Sequence, residues 1–237
     1  MRLRRRLPRR LPRRLQCAVD VAAEPEAESV PGLYRAYIGG LAQPLRAAGN
    51  AADGENAGFD LAVLPGDDGS FAVTVSGRHK GRLTEDDVMR VDGEGAALDY
   101  KTPSAETMLH IAIYRMFPGA GAVLHSHSSP AVALTRAHPA HTAWEFSGHE
   151  MLKALPGTKT HDTMVRLPIV DNSQDMNVIW EAAAPALAQA GAPPAWLIRS
   201  HGLYGWGADM AEAERVIEAV EWLIAAELAE TQFRKSA

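Results

Sequence analysis

The stretch G-A-V-L-H-S-H-S at residues 121–128 is a short apolar run that ends in two histidines separated by one residue. Because alternate side chains of a β-strand share a face, His125 and His127 are expected to point the same way from a strand end. Neutral imidazole is a common ligand of zinc and of other first-row divalent metals. The pattern therefore indicates half of a metal site, although two unconnected histidines at a strand end would have the same spacing.

A third imidazole is available further along the chain. His201 lies in R-S-H-G-L-Y-G-W-G, residues 199–207, after the apolar run 195–198 and before a glycine that permits close backbone approach. Three imidazoles would leave one tetrahedral position of zinc open for a substrate. We therefore predict that His125, His127 and His201 converge on a metal.

Composition excludes several classes of function. The 237 residues carry a net charge of -5 with mixed signs, which gives no basic footprint for nucleic acid. No apolar run reaches the roughly 18 residues that a membrane span requires. The single cysteine, Cys17, permits no internal disulfide and fits a reducing cytoplasm.

The first fifteen residues alternate arginine-rich and leucine positions and are broken by Pro8 and Pro12. Prolines at this spacing spoil the amphipathic helix of a transit peptide. We expect residues 1–30 to be an atypical, disordered segment, or to lie upstream of the true start. No linker-like stretch divides the chain after Phe59, so residues 31–237 are expected to form one domain.

Strands and helices are predicted to alternate along the rest of the chain. Two β-rich runs, 59–64 and 70–76, flank the turn G-D-D-G and predict a hairpin. A helix should begin near Ser104, which can cap it, and should bury Met108, Ile111, Ala112 and Met116. Ser129-Pro130 should start the next helix.

The C-terminal half continues this alternation. We expect a strand at 87–91 before the first helix, a short helix at the H-E-M-L-K stretch (149–153), strands at 165–170, 196–200 and 203–206, and a helix at 174–190. Asp209 should cap the final helix. The interleaving predicts the α/β class, with helices covering a central sheet.

One further segment has side chains suited to a phosphate, and two glutamates have a structural as well as a functional interpretation. S-G-R-H-K-G, residues 76–81, combines a hydroxyl, glycine amides and the cations Arg78 and Lys80, although a basic turn is also commonly just solvated. Glu106 lies at the start of the first helix, where the helix dipole alone would favour a carboxylate. Glu150, beside His149, could equally be half of a solvated surface pair.

The motifs S-G-R-H-K-G-R-L, P-S-A-E-T-x-L-H, H-S-H-S, H-E-M-L-K and S-H-G-L-Y-G-W-G together resemble the class II aldolase and adducin superfamily. H-E-M-L-K is the part most typical of its dehydratase branch. The resemblance implies a three-layer α/β/α fold with a central mixed, largely antiparallel sheet, a homotetramer, and a sugar-phosphate substrate. It covers roughly residue 70 to the end, whereas residues 1–58 match poorly.

The resemblance also implies roles for individual residues. His125, His127 and His201 would bind one zinc per subunit, and Glu150 would be the general acid/base. Ser76, Gly77, Lys80 and Ser104 would remain from the phosphate pocket, with Glu106 near the substrate. The family's Gly-Asn turn is represented only by G-N at 49–50, without its flanking hydroxyls.

Two alternatives stay open. A class II aldolase would use Glu106 as the central carboxylate and would break a carbon–carbon bond. An adducin-like scaffold would keep the fold without metal, but the presence of all three histidines counts against it.

Overall fold

The computed structural model describes residues 59–63, 68–78 and 85–236. Residues 1–58 and Lys80 lie outside the described residues, and so do the expectations stated for them.

The described residues contain eight β-strands and four α-helices. The strands are β1 (Phe59–Val63), β2 (Phe71–Thr74), β3 (Val88–Val91), β4 (Ala122–Ser126), β5 (Ala143–Ser147), β6 (Met164–Val170), β7 (Ala195–Ile198) and β8 (Gly202–Gly207). The helices are α1 (Thr107–Met116), α2 (Ser129–Ala137), α3 (Met176–Leu187) and α4 (Met210–Ser236), with short 3-10 helices at Glu85–Asp87 and Glu150–Ala154.

All eight strands join one mixed sheet in the order β3-β2-β1-β4-β8-β7-β6-β5. Strands β6 and β7 run parallel, and each other neighbouring pair is antiparallel. The antiparallel pairing of β1 with β2 confirms the predicted hairpin.

Helices cover both faces of this sheet, which confirms the three-layer α/β/α prediction. Helices α2 and α4 pack on one face, in a core that includes Leu124, Leu134, Leu197, Val216 and Leu223. Helices α1 and α3 pack on the other, in a core that includes Val123, Ile113, Ile179, Trp196 and Tyr204. Consecutive residues of a strand, such as Val123 and Leu124, belong to different cores, as the strand period of two requires.

The prediction for α1 is wrong in its start and in part of its buried face. The helix begins at Thr107, and Ser104 does not cap it. Ile111 is fully buried as predicted, but Met108 is 37% exposed and lies with Ala112 and Met116 along a groove against α3. Several apolar stripes run along this helix, and sequence period alone does not say which one faces the sheet.

Other boundaries differ by a few residues. Ser128, not Ser129, is the N-cap residue of α2, because its hydroxyl accepts a hydrogen bond from the Ala131 amide at 3.2 Å. The Asp209 cap of α4 is confirmed, since its carboxylate accepts from the Glu212 amide at 2.8 Å. The edge strand β5 was not predicted. In the described part of the chain, no helix is long and apolar enough to cross a bilayer.

Candidate metal centre

The H-x-H pair lies at the end of β4, a central strand between β1 and β8. Val123 belongs to the core under α1 and α3, so His125, two residues on, leaves the strand toward the same face. Ser126 points to the opposite face, where its hydroxyl reaches Glu221 of α4. Strand alternation therefore directs the imidazole of His125 toward the N-terminal end of α1.

Gly202, which follows His201, allows β8 to approach β4 at this point. A Cβ atom on Gly202 would overlap the main-chain carbonyl oxygen of Ser126 and would lie 3.2 Å from His125 Cε1. Any other residue would therefore push apart the two strands that carry the histidines.

His201 itself lies in the tight turn between β7 and β8. The preceding residue, Ser200, has a φ of 59°, in the left-handed region that a non-glycine residue seldom adopts. Its amide donates to Thr135 Oγ1 of α2 at 3.1 Å, and the Arg199 guanidinium donates to the main-chain oxygens of Thr135, His138 and His141. These contacts with the end of α2 hold the strained turn, and with it His201, in place.

The three histidines and Glu106 form one compact group. Ligand atoms of the four side chains lie within 4.8 Å of one another. His201 Nε2 is 3.1 Å from His127 Nε2 and 3.7 Å from Glu106 Oε1. Glu106 is the N-cap residue of α1 but makes no side-chain cap hydrogen bond. Its carboxylate is directed at the histidines, so the helix-dipole explanation from sequence does not account for its position.

Hydrogen bonds present two Nε2 atoms to this group. The Nδ1–H of His125 donates to the Leu203 carbonyl at 3.0 Å, and His201 Nδ1 lies 3.3 Å from Asn172 Oδ1. His125 Nε2 is buried and has no hydrogen-bond partner among the described residues. A tetrahedral zinc with bonds of about 2.05 Å separates two nitrogens by about 3.3 Å, close to the 3.1 Å observed. The residues present therefore fit a divalent metal ion.

The pKa values of Glu106, His125 and His201 favour the charge states that bind a cation. Burial, and then the neighbouring histidines, hold the pKa of His125 well below its usual value, and burial also lowers the pKa of His201. Burial pushes the pKa of Glu106 upward, but the hydrogen bond from Ser104 and the nearby histidines outweigh it, so that pKa is lowered. The imidazoles of His125 and His201 are thus neutral and the Glu106 carboxylate is ionised near pH 7.

The structure brings two of the predicted phosphate-binding segments side by side. Val75 pairs with Pro103 in an isolated bridge, and the Ser76 amide donates to the Thr102 carbonyl at 2.9 Å. Gly77 has a φ of 72° and is exposed, as is Ser76. The buried Ser104 hydroxyl donates to Glu106 Oε2 at 2.6 Å, which links this corner to the histidine group.

The structure does not bring Glu150 to the histidine group of its own chain. Its side chain is 65% exposed, forms an ion pair with Lys153 and contacts His161, whose Nδ1 is 3.1 Å from Glu150 Oε1. The hydrogen bond from Lys153 is the main reason that the pKa of Glu150 is lowered.

Strand directions explain this separation. Ser147, just before Glu150, pairs with Met164 at the start of β6, whereas the end of β6 pairs with the end of β7 beside His201. The seven residues of β6 span about 20 Å. Glu150 therefore lies at the opposite end of the sheet from the histidines, and three strands separate β4 from β5.

Sequence reasoning missed Asn172, whose side chain contacts His201, and the hydrogen bonds that join Ser126 and Ser128, on either side of His127, to Glu221. A signal for Asn172 was present: it follows the apolar strand β6, and β6 runs parallel to β7, which leads to His201. Carboxyl ends of parallel strands meet at one edge, so polar residues after both are expected to be neighbours. Glu221 gave no such signal, because it lies within a long helix rich in glutamate.

Comparison with known proteins agrees with this architecture. Residues 57–228 match the profile of the Class II Aldolase and Adducin N-terminal domain. A Marinobacter nauticus protein named methylthioribulose-1-phosphate dehydratase is 46% identical over 165 residues, which cover 69% of this chain and 79% of the relative. A Hahella chejuensis protein of the same name is 45% identical over 163 residues, 68% of this chain and 78% of the relative.

A solved structure shows the same fold at lower identity. The L-fuculose-1-phosphate aldolase from Thermus thermophilus superimposes with a TM-score of 0.63 at 24% identity, over 86% of this chain and 100% of that one. Profile, sequence relatives and fold all agree. The chain therefore belongs to the class II aldolase and adducin family.

Proposed function

We propose that the protein removes water from 5-(methylthio)ribulose 1-phosphate and forms 5-(methylthio)-2,3-dioxopentyl phosphate, with one zinc ion per subunit. The observation that carries this proposal is the convergence of His125, His127, His201 and Glu106 in a chain about 45% identical to proteins named for this dehydration. The methylthio group of the product places the reaction in methionine salvage, and we assign it to the cytoplasm.

The chemistry requires a base, an acid and a means to stabilise negative charge. A divalent metal held by the three imidazoles would polarise the C2 carbonyl and so acidify the C3 proton. The C3–H bond breaks as a base takes the proton, and the C4 hydroxyl leaves with a second proton as water. The enol that remains tautomerises to the 2,3-diketone, so the carbon chain stays whole.

Glu106 is placed to act on a substrate at this centre. Its lowered pKa keeps it ionised, and one oxygen faces His201 while the other accepts the Ser104 hydrogen bond. It can orient a substrate hydroxyl or contribute to metal binding. The hydrogen bond from Ser104 fixes the orientation of the Glu106 carboxylate. The carboxylate can therefore act on only one side of the histidine group.

A general acid/base role for Glu150 requires a second copy of the chain. Glu150 lies at the far end of the sheet from the histidines of its own subunit, and its carboxylate, although in contact with Lys153 and His161, is 65% exposed and accessible to a neighbouring subunit. We therefore propose a homotetramer in which each metal centre lies near a subunit contact and receives Glu150 from the adjacent copy. The lowered pKa would make Glu150 a base in its resting state.

We assign the substrate phosphate to the corner formed by Ser76, Gly77 and Ser104, with Lys80 as an additional cation. Gly77 in the left-handed region can turn consecutive amides toward an anion. Arg78 is engaged with Asp87, its Nε 3.0 Å from Oδ1, which favours Lys80 over Arg78 for this role.

One observation favours a second candidate, a class II sugar-phosphate aldolase. Within a single chain Glu106, not Glu150, is the carboxylate beside the histidines, and it is only 14% exposed. An aldolase would use that carboxylate to break the C3–C4 bond. The two reactions differ in the number of carbons that remain joined.

Product analysis tests the proposal directly. Purified protein that has been loaded with zinc and incubated with 5-(methylthio)ribulose 1-phosphate should yield a diketone phosphate with all carbons connected, as read by mass spectrometry and ¹³C NMR. Formation of dihydroxyacetone phosphate would establish the aldolase instead. Protein treated with a chelator provides the control and should form neither product.

A further inference from the structure

Two serines on either side of His127 reach the same carboxylate. The Ser126 hydroxyl donates to Glu221 Oε1 at 2.9 Å, and the Ser128 hydroxyl donates to Glu221 Oε2. Glu221 lies in α4, on the face of the sheet opposite the histidines. We call Ser126, Ser128 and Glu221 the serine bridge.

The Ser128 hydroxyl both accepts and donates a hydrogen bond. Its oxygen accepts from the Ala131 amide at 3.2 Å and so caps α2, which leaves its one proton for Glu221. Ser126 is the last residue of β4. The serine bridge therefore ties the end of β4 and the start of α2 to α4, and the only residue between the two tied positions is His127.

Glycines in β8 let α4 come close enough for this contact. A Cβ on Gly205 would lie 2.8 Å from Ile217 Cδ1, and one on Gly207 would lie 2.6 Å from the Ala213 amide nitrogen. Ile217 and Glu221 are four residues apart and share a face of the helix. The close seating of α4 on β8 thus brings the Glu221 carboxylate to the serines.

A carboxylate in this position has a cost. Burial raises the pKa of Glu221, while the hydrogen bonds from Ser128 and Ser126 lower it. An apolar side chain on α4 would pack in the same layer without that desolvation cost. Core packing alone therefore does not explain a carboxylate at residue 221. A better explanation is that Glu221 fixes the main chain on either side of His127 through its hydrogen bonds to Ser126 and Ser128.

We propose that Glu221 is a positioning residue of the metal centre, which fixes the direction of the His127 imidazole through Ser126 and Ser128. The proposal rests on the proposed function only in that it takes the three histidines as metal ligands. Hydrogen bonds that orient metal ligands change metal affinity by about 10-fold to 100-fold when they are removed.

Three variants test this in the full-length protein. Glu221→Leu removes both acceptors, Glu221→Gln keeps one acceptor in a side chain of the same shape, and Glu218→Leu is a matched control on the exposed side of α4. The measurements are zinc affinity by competition with a chelating dye, the visible absorption spectrum of the cobalt-loaded protein, and the melting temperature of the metal-free protein.

Glu221→Leu is expected to weaken zinc binding about 10-fold to 100-fold and to alter the cobalt spectrum, which reports ligand geometry. Glu221→Gln should restore most of the affinity. Glu218→Leu should leave both readouts at their wild-type values. If Glu221→Leu does not fold, Ser126→Ala decides by the same measurements, because it removes one hydrogen bond and leaves the Ser128 cap intact.

Unchanged zinc affinity and an unchanged cobalt spectrum in Glu221→Leu would overturn the proposal. So would a lower melting temperature with a wild-type spectrum in the folded fraction, since that outcome marks a purely structural group. Either result would leave the proposed dehydratase function unaffected. If the wild-type protein binds zinc but dehydrates no sugar phosphate, the proposed function is refuted, and the zinc affinities of the variants still test the role of Glu221. If the wild-type protein binds no divalent metal, both the proposed function and the role of Glu221 are refuted.

Discussion

The Nδ1–H of His125 donates to the main-chain oxygen of Leu203, which is the residue that pairs with Ser126 across β4 and β8. A carbonyl can only accept, so this bond fixes the proton on Nδ1 and leaves the Nε2 lone pair for the centre. The register between two strands therefore sets the tautomer of a candidate ligand.

Loss of one imidazole should remove most bound metal. We expect His201→Ala to abolish stoichiometric zinc binding and most activity, because only two of the three imidazole ligands of a catalytic zinc site would remain. His141→Ala, which changes an exposed histidine outside the group, is the control. The metal content of dialysed protein, measured by plasma mass spectrometry, checks this, and equal zinc in the two variants would contradict it.

The metal-free protein should lose stability as the pH falls below the ordinary histidine pKa of about 6.5. Burial lowers the folded-state pKa of His125, so the unfolded chain binds more protons in that window and the free energy of unfolding rises with pH. His125 alone should contribute up to about 1.4 kcal/mol per pH unit to this slope. Urea unfolding at several pH values measures it. His125→Gln should flatten the curve, and stability that increases on acidification would disprove the assignment.

Gly202 should tolerate no side chain. We expect Gly202→Ala to lower the free energy of unfolding by about 3 kcal/mol or more, because its Cβ would overlap the Ser126 carbonyl oxygen, and to weaken zinc binding as β4 and β8 separate. Gly119→Ala is the matched control, since a Cβ there has no heavy atom within 4 Å. Similar chemical denaturation curves for the two variants would contradict this.

The convergence of the histidines was predictable in part from two local patterns. The spacing in H-S-H fixes a shared face on a strand, and the glycine after His201 marks a close backbone approach. The sheet order that joins β4 to β8 was not predictable from those patterns, since long-range strand pairing depends on the whole chain. The resemblance to a known family supplied what local periodicity could not.

The carboxylates show where local reasoning fails. Glu106 at a helix start has an adequate local explanation in the dipole, yet its carboxylate lies with the histidines because the loop before α1 passes beside His201. Glu150 has a sequence context that favours catalysis, yet the direction of β5 carries it to the far end of the sheet. Both outcomes are set by tertiary connectivity, which residue spacing does not encode.

Ser76 should matter more for a phosphorylated substrate than for its unphosphorylated analogue. Its hydroxyl is exposed beside Gly77, whose left-handed conformation suits an anion-binding turn. We expect Ser76→Ala to raise KM for the sugar phosphate several-fold and to change kcat little, since the interaction is equal in ground and transition states. Equal effects on both substrates would show that Ser76 does not contact the phosphate.

Glu150→Gln should preserve fold and zinc content while lowering kcat by roughly 10²-fold to 10⁴-fold, the usual contribution of a positioned acid or base. Because Glu150 would serve the neighbouring subunit, mixing two inactive variants, Glu150→Gln and His201→Ala, should restore activity. After dissociation and random reassembly, about one quarter of the centres would combine intact histidines with an intact Glu150 from the adjacent copy.

The matched control for this mixing experiment is Glu106→Gln combined with His201→Ala. Glu106 and His201 lie in the same centre, 3.7 Å apart, so both losses fall on the subunit that carries them and no mixture can assemble an intact site. Rescue by the first pair alone would place Glu150 at a neighbour's metal. A Glu150→Gln protein with nearly full kcat, together with an inactive Glu106→Gln protein, would instead assign the proton transfer to Glu106 and the chain to the aldolase reaction.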